Sequence, residues 1–162
     1  MTGRARAAPA EVRGLAPGER LLGFARCEAG WVLATVTALH LPGAAGGRLA
    51  WDQVHRADWH VPVLGLTVQR AAGGPLERIA LELSGEPGQL PTAVRDRVTA
   101  SIVAERHVGF DGERGARFLV RRTESGELRW VVLIDPGVDP DDPAVVVRVD
   151  AELRRLQSAW GV

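Results

Sequence analysis

The first half of the chain alternates short apolar segments with glycine-rich and proline-rich turns. Strands are expected at 19–27 and 31–41, joined by a turn at Glu28-Ala29-Gly30, because β-branched and apolar residues favour extended chain and glycine permits the turn. The same pattern predicts a short strand at 48–51, a bend at Asp52-Gln53, a strand at 54–60, and a hairpin over 63–83.

A short helix is expected in the middle of the chain. Leu90, Val94 and Val98 recur every four residues, which places them on one helical face, and Pro91 is tolerated in a first turn. A strand at 101–109 and a hairpin over 116–135 are predicted to follow.

The end of the chain predicts an amphipathic helix of about seventeen residues. Its apolar stripe consists of Val146, Val149, Leu153, Leu156 and Trp160. Asp142 is placed to cap this helix, Pro143 suits its first turn and Gly161 suits its end, as helix termini prefer. We expect the helix to pack against the sheet and cover its open end.

The segment RLAWDQVHRADWH, residues 48–60, concentrates tryptophan, histidine and aspartate. A bend at Asp52-Gln53 brings Trp51 and Val54 together, so we predict that both are core residues. A metal site needs three or four converging ligands, and the extended segment gathers only Asp58 and His60. His55 with Asp58 is the nearest acid–base pair, but no motif marks a nucleophile or an oxyanion hole.

The strings GERLL, WVLATVTALHL and RLAWDQVHRADW, with Trp51 three residues before Val54, resemble the bacterial pleckstrin-homology-like (PH-like) or GRAM-like domains over residues 17–83. The resemblance implies an α+β, mostly β fold: a partly open antiparallel β-barrel or sandwich with a C-terminal amphipathic helix. Lipid-binding members carry several basic residues at the first hairpin, whereas this chain has chiefly Arg26 beside Glu28, so phosphoinositide binding is not carried over. Residues 91–135 either complete the second sheet or form an added layer.

Composition narrows the class of protein. The 162 residues fit one domain, placed at 17–162 after a disordered Ala/Arg/Pro tail at 1–16. The formal net charge is zero, which argues against nucleic-acid binding. Cys27 is the single cysteine, so no internal disulfide forms. All basic residues are arginine, and the chain lacks lysine, asparagine and tyrosine, which suggests a bacterial, GC-rich genome.

Targeting signals are not expected. The first twenty residues lack the apolar segment of roughly 7 to 15 residues that a secretory signal requires, and no stretch approaches the roughly 18 apolar residues of a membrane span. We therefore predict a cytoplasmic protein without a cofactor.

One acidic loop and two histidines complete the candidate chemistry. The acidic loop holds Asp135, Asp139, Asp141 and Asp142; oxygen-rich loops bind calcium, but the spacing is not that of an EF-hand, and helix capping explains these residues more economically. His40 and His107 are interpreted as hydrogen-bonded structural or surface groups.

The hairpin 116–135 is the predicted binding surface. Arg117, Arg121 and Arg129 are expected on one face, near Trp130, where they would bind an anion or a partner's carboxylates; Glu124 and Glu127 neutralise part of this charge. The alternative is that these charges pair across the strands on a solvated face and that Trp130 is buried between sheet and helix. The sequence favours a non-catalytic binding or scaffolding module for a protein partner, with a membrane headgroup as a weaker possibility. The alternative is an enzyme or small-ligand binder that uses Asp58, His60 and arginine.

Overall fold

The computed structural model describes residues 9–162 and divides the chain into two compact units, one ending at Ser101 and the other spanning Ile102–Val162. Each unit has its own cluster of buried apolar side chains. Of the predicted tail 1–16, residues 1–8 lie outside the described residues, and Ala10–Gly14 form a 3-10 helix.

The first unit is a seven-stranded antiparallel sheet followed by one helix. Its elements are β1 (Leu21–Cys27), β2 (Gly30–Thr35), β3 (Ala38–His40), β4 (Arg48–Ala50), β5 (Val54–His60), β6 (Val63–Val68), β7 (Glu77–Ser84) and α1 (Leu90–Ala100). The strand order is β4-β3-β2-β1-β7-β6-β5. Since β4 and β5 stand at opposite ends of this order, the sheet of the described chain is not a closed barrel.

The predicted strand 31–41 is interrupted after Thr35, and the side chain of this threonine explains the break. Its hydroxyl donates to the carbonyl of Ala38 at 3.1 Å and accepts from the backbone N–H groups of Thr37 at 3.3 Å and Ala38 at 3.1 Å. Local hydrogen bonds of this kind compete with a sheet ladder, so the chain turns and continues as β3.

The core of the first unit confirms the predicted placement of Trp51 and Val54. Both side chains are buried, and the indole Nε1 of Trp51 donates to the carbonyl of Thr35 at 3.1 Å. Trp51 opens the short 3-10 turn Trp51–Gln53, which is the predicted bend. This turn directs Trp51 and Val54 into one apolar cluster.

Helix α1 packs directly on β1. Its stripe of Leu90, Val94 and Val98 is buried, as predicted from their spacing. At the point of closest approach β1 carries Gly23, and a Cβ there would lie 2.8 Å from the backbone nitrogen of Leu90. A side chain at this position would therefore force strand and helix apart.

The second unit is a three-stranded antiparallel sheet with one helix. It consists of β8 (Ile102–Asp111), β9 (Arg114–Arg122), β10 (Leu128–Ile134) and α2 (Pro143–Trp160), with the strand order β10-β9-β8. The carboxylate of Asp142 accepts from the N–H of Ala144 at 2.8 Å, and Gly161 ends the helix at φ 70°. The predicted caps of α2 are thus confirmed.

The role predicted for α2 needs correction. Its stripe of Val149, Leu153, Leu156 and Trp160 packs around Phe118 of the three-stranded sheet, whereas α1 is the helix in the core of the seven-stranded sheet. Each sheet has an apolar face that a helix must cover, and each unit supplies its own. Residues 91–135 are divided accordingly: α1 belongs to the first unit and β8–β10 form a separate sheet.

The exposure and length of the two α-helices define what each can contact. Val146, predicted as part of the α2 stripe, is 44% exposed, so the part of the stripe that packs on the sheet begins at Val149. Neither α1 nor α2, the two helices of the described chain, combines the length and apolar character that crossing a membrane requires.

Candidate functional site

A cleft lies between strand β5 and the N-terminal half of helix α1. Its volume is about 520 Å³. The strand contributes Ala57, Asp58, Trp59 and His60, β6 contributes Leu64, the preceding loop contributes Pro87 and Gly88, and the helix contributes Pro91, Thr92 and Arg95. We call this feature the β5–α1 cleft.

The strand side of the cleft is the end of the sheet, because β5 is last in the strand order. Side chains of β5 alternate between two surroundings: Ala57 and Trp59 pack against the apolar core, and Asp58 and His60 point to the other face, opposite Gly65 and Val63, as strand geometry requires. An extended segment laid into the cleft would therefore meet both apolar and polar side chains along one strand.

The polar side chains of β5 form a row that contains one ion pair. The Nε of Arg56 donates to both carboxylate oxygens of Asp58, at 3.0 and 2.8 Å, and both side chains are exposed. His60 and Arg95 are also exposed. Within residues 9–162, no three His, Cys, Asp or Glu side chains gather into a group that could hold a metal ion.

His55 and Asp58, the nearest acid–base pair in the sequence, have different surroundings in the structure. A bulge in the pairing between Val54 and Arg56 takes His55 out of the regular alternation. His55 is buried, and its Nε2 lies 3.2 Å from the Oε1 of Gln69, while Asp58 is bound by Arg56. The structure thus places His55 and Asp58 with different partners.

A second polar cluster surrounds Glu19, which the sequence did not single out. Its Oε1 accepts hydrogen bonds from the hydroxyl of Thr37 at 2.7 Å and from the Nε2 of His40 at 2.9 Å, and it lies 3.1 Å from the hydroxyl oxygen of Thr35. Its Oε2 accepts from the N–H of Ala16 at 3.0 Å. The carboxylate therefore fixes the segment before β1 to the turn between β2 and β3, and His40 is a hydrogen-bonded structural group, as predicted.

These contacts change the acidity of Glu19. Burial alone would raise its pKa, but the hydrogen bonds from Thr37, His40 and Ala16 outweigh it and lower the pKa from 4.5 to about 2. A pKa below the unfolded value stabilises the fold at every pH above that value. The contribution is therefore complete above about pH 4.5 and disappears as the pH falls toward 2.

We expect Glu19→Gln to lower the midpoint of thermal unfolding at pH 7, with a difference from wild type that narrows between pH 4.5 and pH 2. Thermal unfolding followed by circular dichroism over this range measures the effect. Glu28→Gln, in the exposed turn after β1, is the matched control and should leave the profile unchanged. A constant difference between wild type and Glu19→Gln at all pH values would contradict this account.

The arginines of the hairpin share a face, and Trp130 lies on the other. Arg129 pairs with Arg121, and Trp130 pairs with Val120; directly opposed residues share a face of an antiparallel sheet, and Arg117 lies on the arginine face by alternation. Arg121 is fully buried, and Arg117 forms an ion pair with Glu105 at 3.1 Å.

Trp130 faces the helix of its unit. Its ring stacks on that of Trp160 with centroids 5.2 Å apart, and its Nε1 donates to the carbonyl of Val162 at 3.3 Å. The assignment of Arg117, Arg121, Arg129 and Trp130 to partner binding stays a prediction.

The acidic loop has structural contacts. Asp135 accepts from the N–H of Gly115 at 2.8 Å and lies 2.7 Å from the Nε2 of His107; the His107 contact, followed by that of Gly115, lowers the pKa of this carboxyl. Asp139 accepts from the N–H of Asp141 at 3.0 Å, and Asp142 caps α2. Three of the four aspartates thus hold backbone N–H groups.

The β5–α1 cleft combines an edge strand, apolar side chains and exposed charged groups within one unit. Comparisons with protein-family models, with curated proteins and with solved structures found no match. The geometry of the chain is therefore the basis for assigning a function.

Proposed function

We propose that the first unit is a PH-like, non-catalytic module that binds a protein partner, and that an extended segment of the partner lies in the β5–α1 cleft. The observation that carries the proposal is the position of the cleft beside β5, the last strand of the sheet. Edge strands offer backbone N–H and carbonyl groups to an added strand.

When a peptide binds by strand addition, its backbone and its side chains have different roles in recognition. Backbone hydrogen bonds supply affinity, and pockets for alternate side chains supply specificity. Four residues of β5, Ala57–His60, line the cleft, which corresponds to about 13 Å of extended chain at the usual rise. Trp59, which is half-buried, and the prolines of the opposite wall provide apolar surface for side chains that point inward.

The PH-like assignment is supported by the order of elements. Seven antiparallel strands are followed directly by one helix with a buried apolar stripe, which is the arrangement that the resemblance over residues 17–83 implies. Trp51 and Val54, which carry part of that resemblance, are core residues. The helix of this module is α1, and residues 102–162 follow it as a separate unit.

A small ligand is the second candidate for the same cleft. The volume of about 520 Å³ falls within the roughly 300–1,000 Å³ of ordinary ligand sites, and Asp58, His60 and Arg95 offer polar contacts. The edge strand favours a peptide, because an extended backbone uses the N–H and carbonyl groups of β5 and a compact ligand does not need them.

Thr92→Phe tests this function. Thr92 is exposed and lines the cleft, so a phenyl ring there would occupy the space of the added strand. The probe is a phage-displayed library of random heptapeptides, from which peptides that bind the wild-type protein are selected and measured by fluorescence anisotropy. We expect the affinity of the selected peptides to fall by about tenfold or more, or ~1.4 kcal/mol, in Thr92→Phe.

Thr99→Phe is the matched control, because Thr99 is an exposed threonine of the same helix that does not line the cleft. It should bind the selected peptides like wild type. Circular dichroism establishes that both variants fold. Peptides that bind Thr92→Phe as tightly as wild type, or a library that yields no binder, would refute the proposal.

A further inference from the structure

The exposed face of β5 carries polar side chains in a fixed order. Arg56, Asp58 and His60 follow one another at every second residue, and Ala57 and Trp59 lie between them on the core side. Because side chains of neighbouring strands meet in directly opposed pairs, a strand added to β5 would place its own outward side chains against this row.

We propose that the partner segment has the pattern acidic, apolar, basic, apolar, acidic. This inference rests on the proposed function and names the chemistry of the partner. An acidic residue would pair with Arg56, a basic residue with Asp58, and a second acidic residue would accept a hydrogen bond from a ring N–H of His60. The two apolar residues would point inward, beside Ala57 and Trp59.

The proposed partner pattern reads the same in both chain directions. A strand can add to an edge in either direction, and the direction normally changes which side chains meet. Here the central Asp58 is flanked by the guanidinium of Arg56 and by His60, whose ring N–H can donate to a carboxylate, so parallel and antiparallel addition require the same partner sequence.

The existing ion pair between Arg56 and Asp58 does not prevent either side chain from pairing with a residue of the partner. Both side chains are exposed, with 70% and 40% of their surface accessible. Exposed ion pairs contribute little to stability, so each side chain can turn to a partner without disturbing the sheet. The backbone of β5 is held independently by its register with β6.

The test compares two synthetic peptides with capped ends, Gly-Glu-Val-Lys-Val-Glu-Gly and its charge-reversed form Gly-Lys-Val-Glu-Val-Lys-Gly. Fluorescence anisotropy at low ionic strength should give the wild-type protein an affinity about tenfold higher for the first peptide. The double variant Arg56→Glu/Asp58→Arg reverses the charge at two of the three contacts and should prefer the second peptide. Added salt should reduce both preferences, because the contacts are exposed.

Arg78→Glu is the matched control for charge. Arg78 is an exposed arginine on the same face of the sheet, but it lies on β7, two strands from the edge. This variant should keep the wild-type preference. A reversed preference in Arg78→Glu would overturn the inference, because it would show an effect of total charge rather than of the row on β5.

The outcomes separate the two proposals. If both peptides bind wild type equally and both are excluded by Thr92→Phe, the cleft binds peptides but the charge pattern is wrong. If neither peptide binds and the random library also yields no binder, both proposals fail. Self-association that rises with protein concentration and disappears in Arg56→Glu would also overturn the inference, since a second copy would then occupy the edge.

Discussion

Trp51→Ala is expected to lower the free energy of unfolding by about 3–5 kcal/mol, the range for truncating a buried large aromatic side chain. Trp51 is 5% exposed and belongs to the core cluster of the seven-stranded sheet. The substitution would remove this packing and also the indole donor that satisfies the carbonyl of Thr35. Urea denaturation followed by far-ultraviolet circular dichroism measures the loss.

Trp51→Phe separates the two contributions. It keeps an aromatic ring in the core but removes the N–H donor, so we expect a smaller loss of about 1–3 kcal/mol, typical of an unsatisfied buried polar group. A Trp51→Ala protein with the wild-type denaturation midpoint would show that the turn 51–53 does not direct this side chain into the core.

Phe118→Ala should have an effect of similar size on the second unit, about 3–5 kcal/mol. Phe118 is fully buried and packs with Ala116 and Leu156 between the three-stranded sheet and α2. Its loss would leave a cavity under the helix. Hydrogen exchange of the α2 amides measures the effect within this unit, and protection there should fall.

Val147→Ala is the control for this prediction. Val147 lies on α2 but is 67% exposed, and substitutions at such positions usually change stability by no more than about 0.5 kcal/mol. Equal loss of amide protection in Phe118→Ala and Val147→Ala would contradict the assigned orientation of the helix.

Local patterns predicted most of the elements. The caps of α2, the buried stripe of α1 and the bend after Trp51 all depend on residues close together in sequence, where spacing and turn chemistry decide the conformation. The main local error was the strand 31–41, which Thr35 interrupts through its own side-chain hydrogen bonds. A threonine in an apolar strand gives no indication that it will turn the chain.

Long-range partners could not be predicted from these patterns. The apolar stripe of α2 indicates which of its residues point inward but not which sheet they contact. We predicted that α2 packs against the PH-like barrel, whereas its stripe packs on the three-stranded sheet. Glu19 was missed because its partners Thr37 and His40 follow it by about twenty residues. The β5–α1 cleft was missed for the same reason: Asp58 and His60 were considered with each other, whereas Thr92 and Arg95 complete the site from a helix predicted separately.

Gly23 links the width of the cleft to the packing of the core. Its missing side chain lets β1 approach the backbone of Leu90, the residue just before the helical wall at Pro91 and Thr92. Any larger residue at position 23 would push that wall away from its present place. Affinity depends on how well a site is organised in advance, so a mutation beneath the helix would alter binding at the proposed site while every residue that lines the cleft stayed the same.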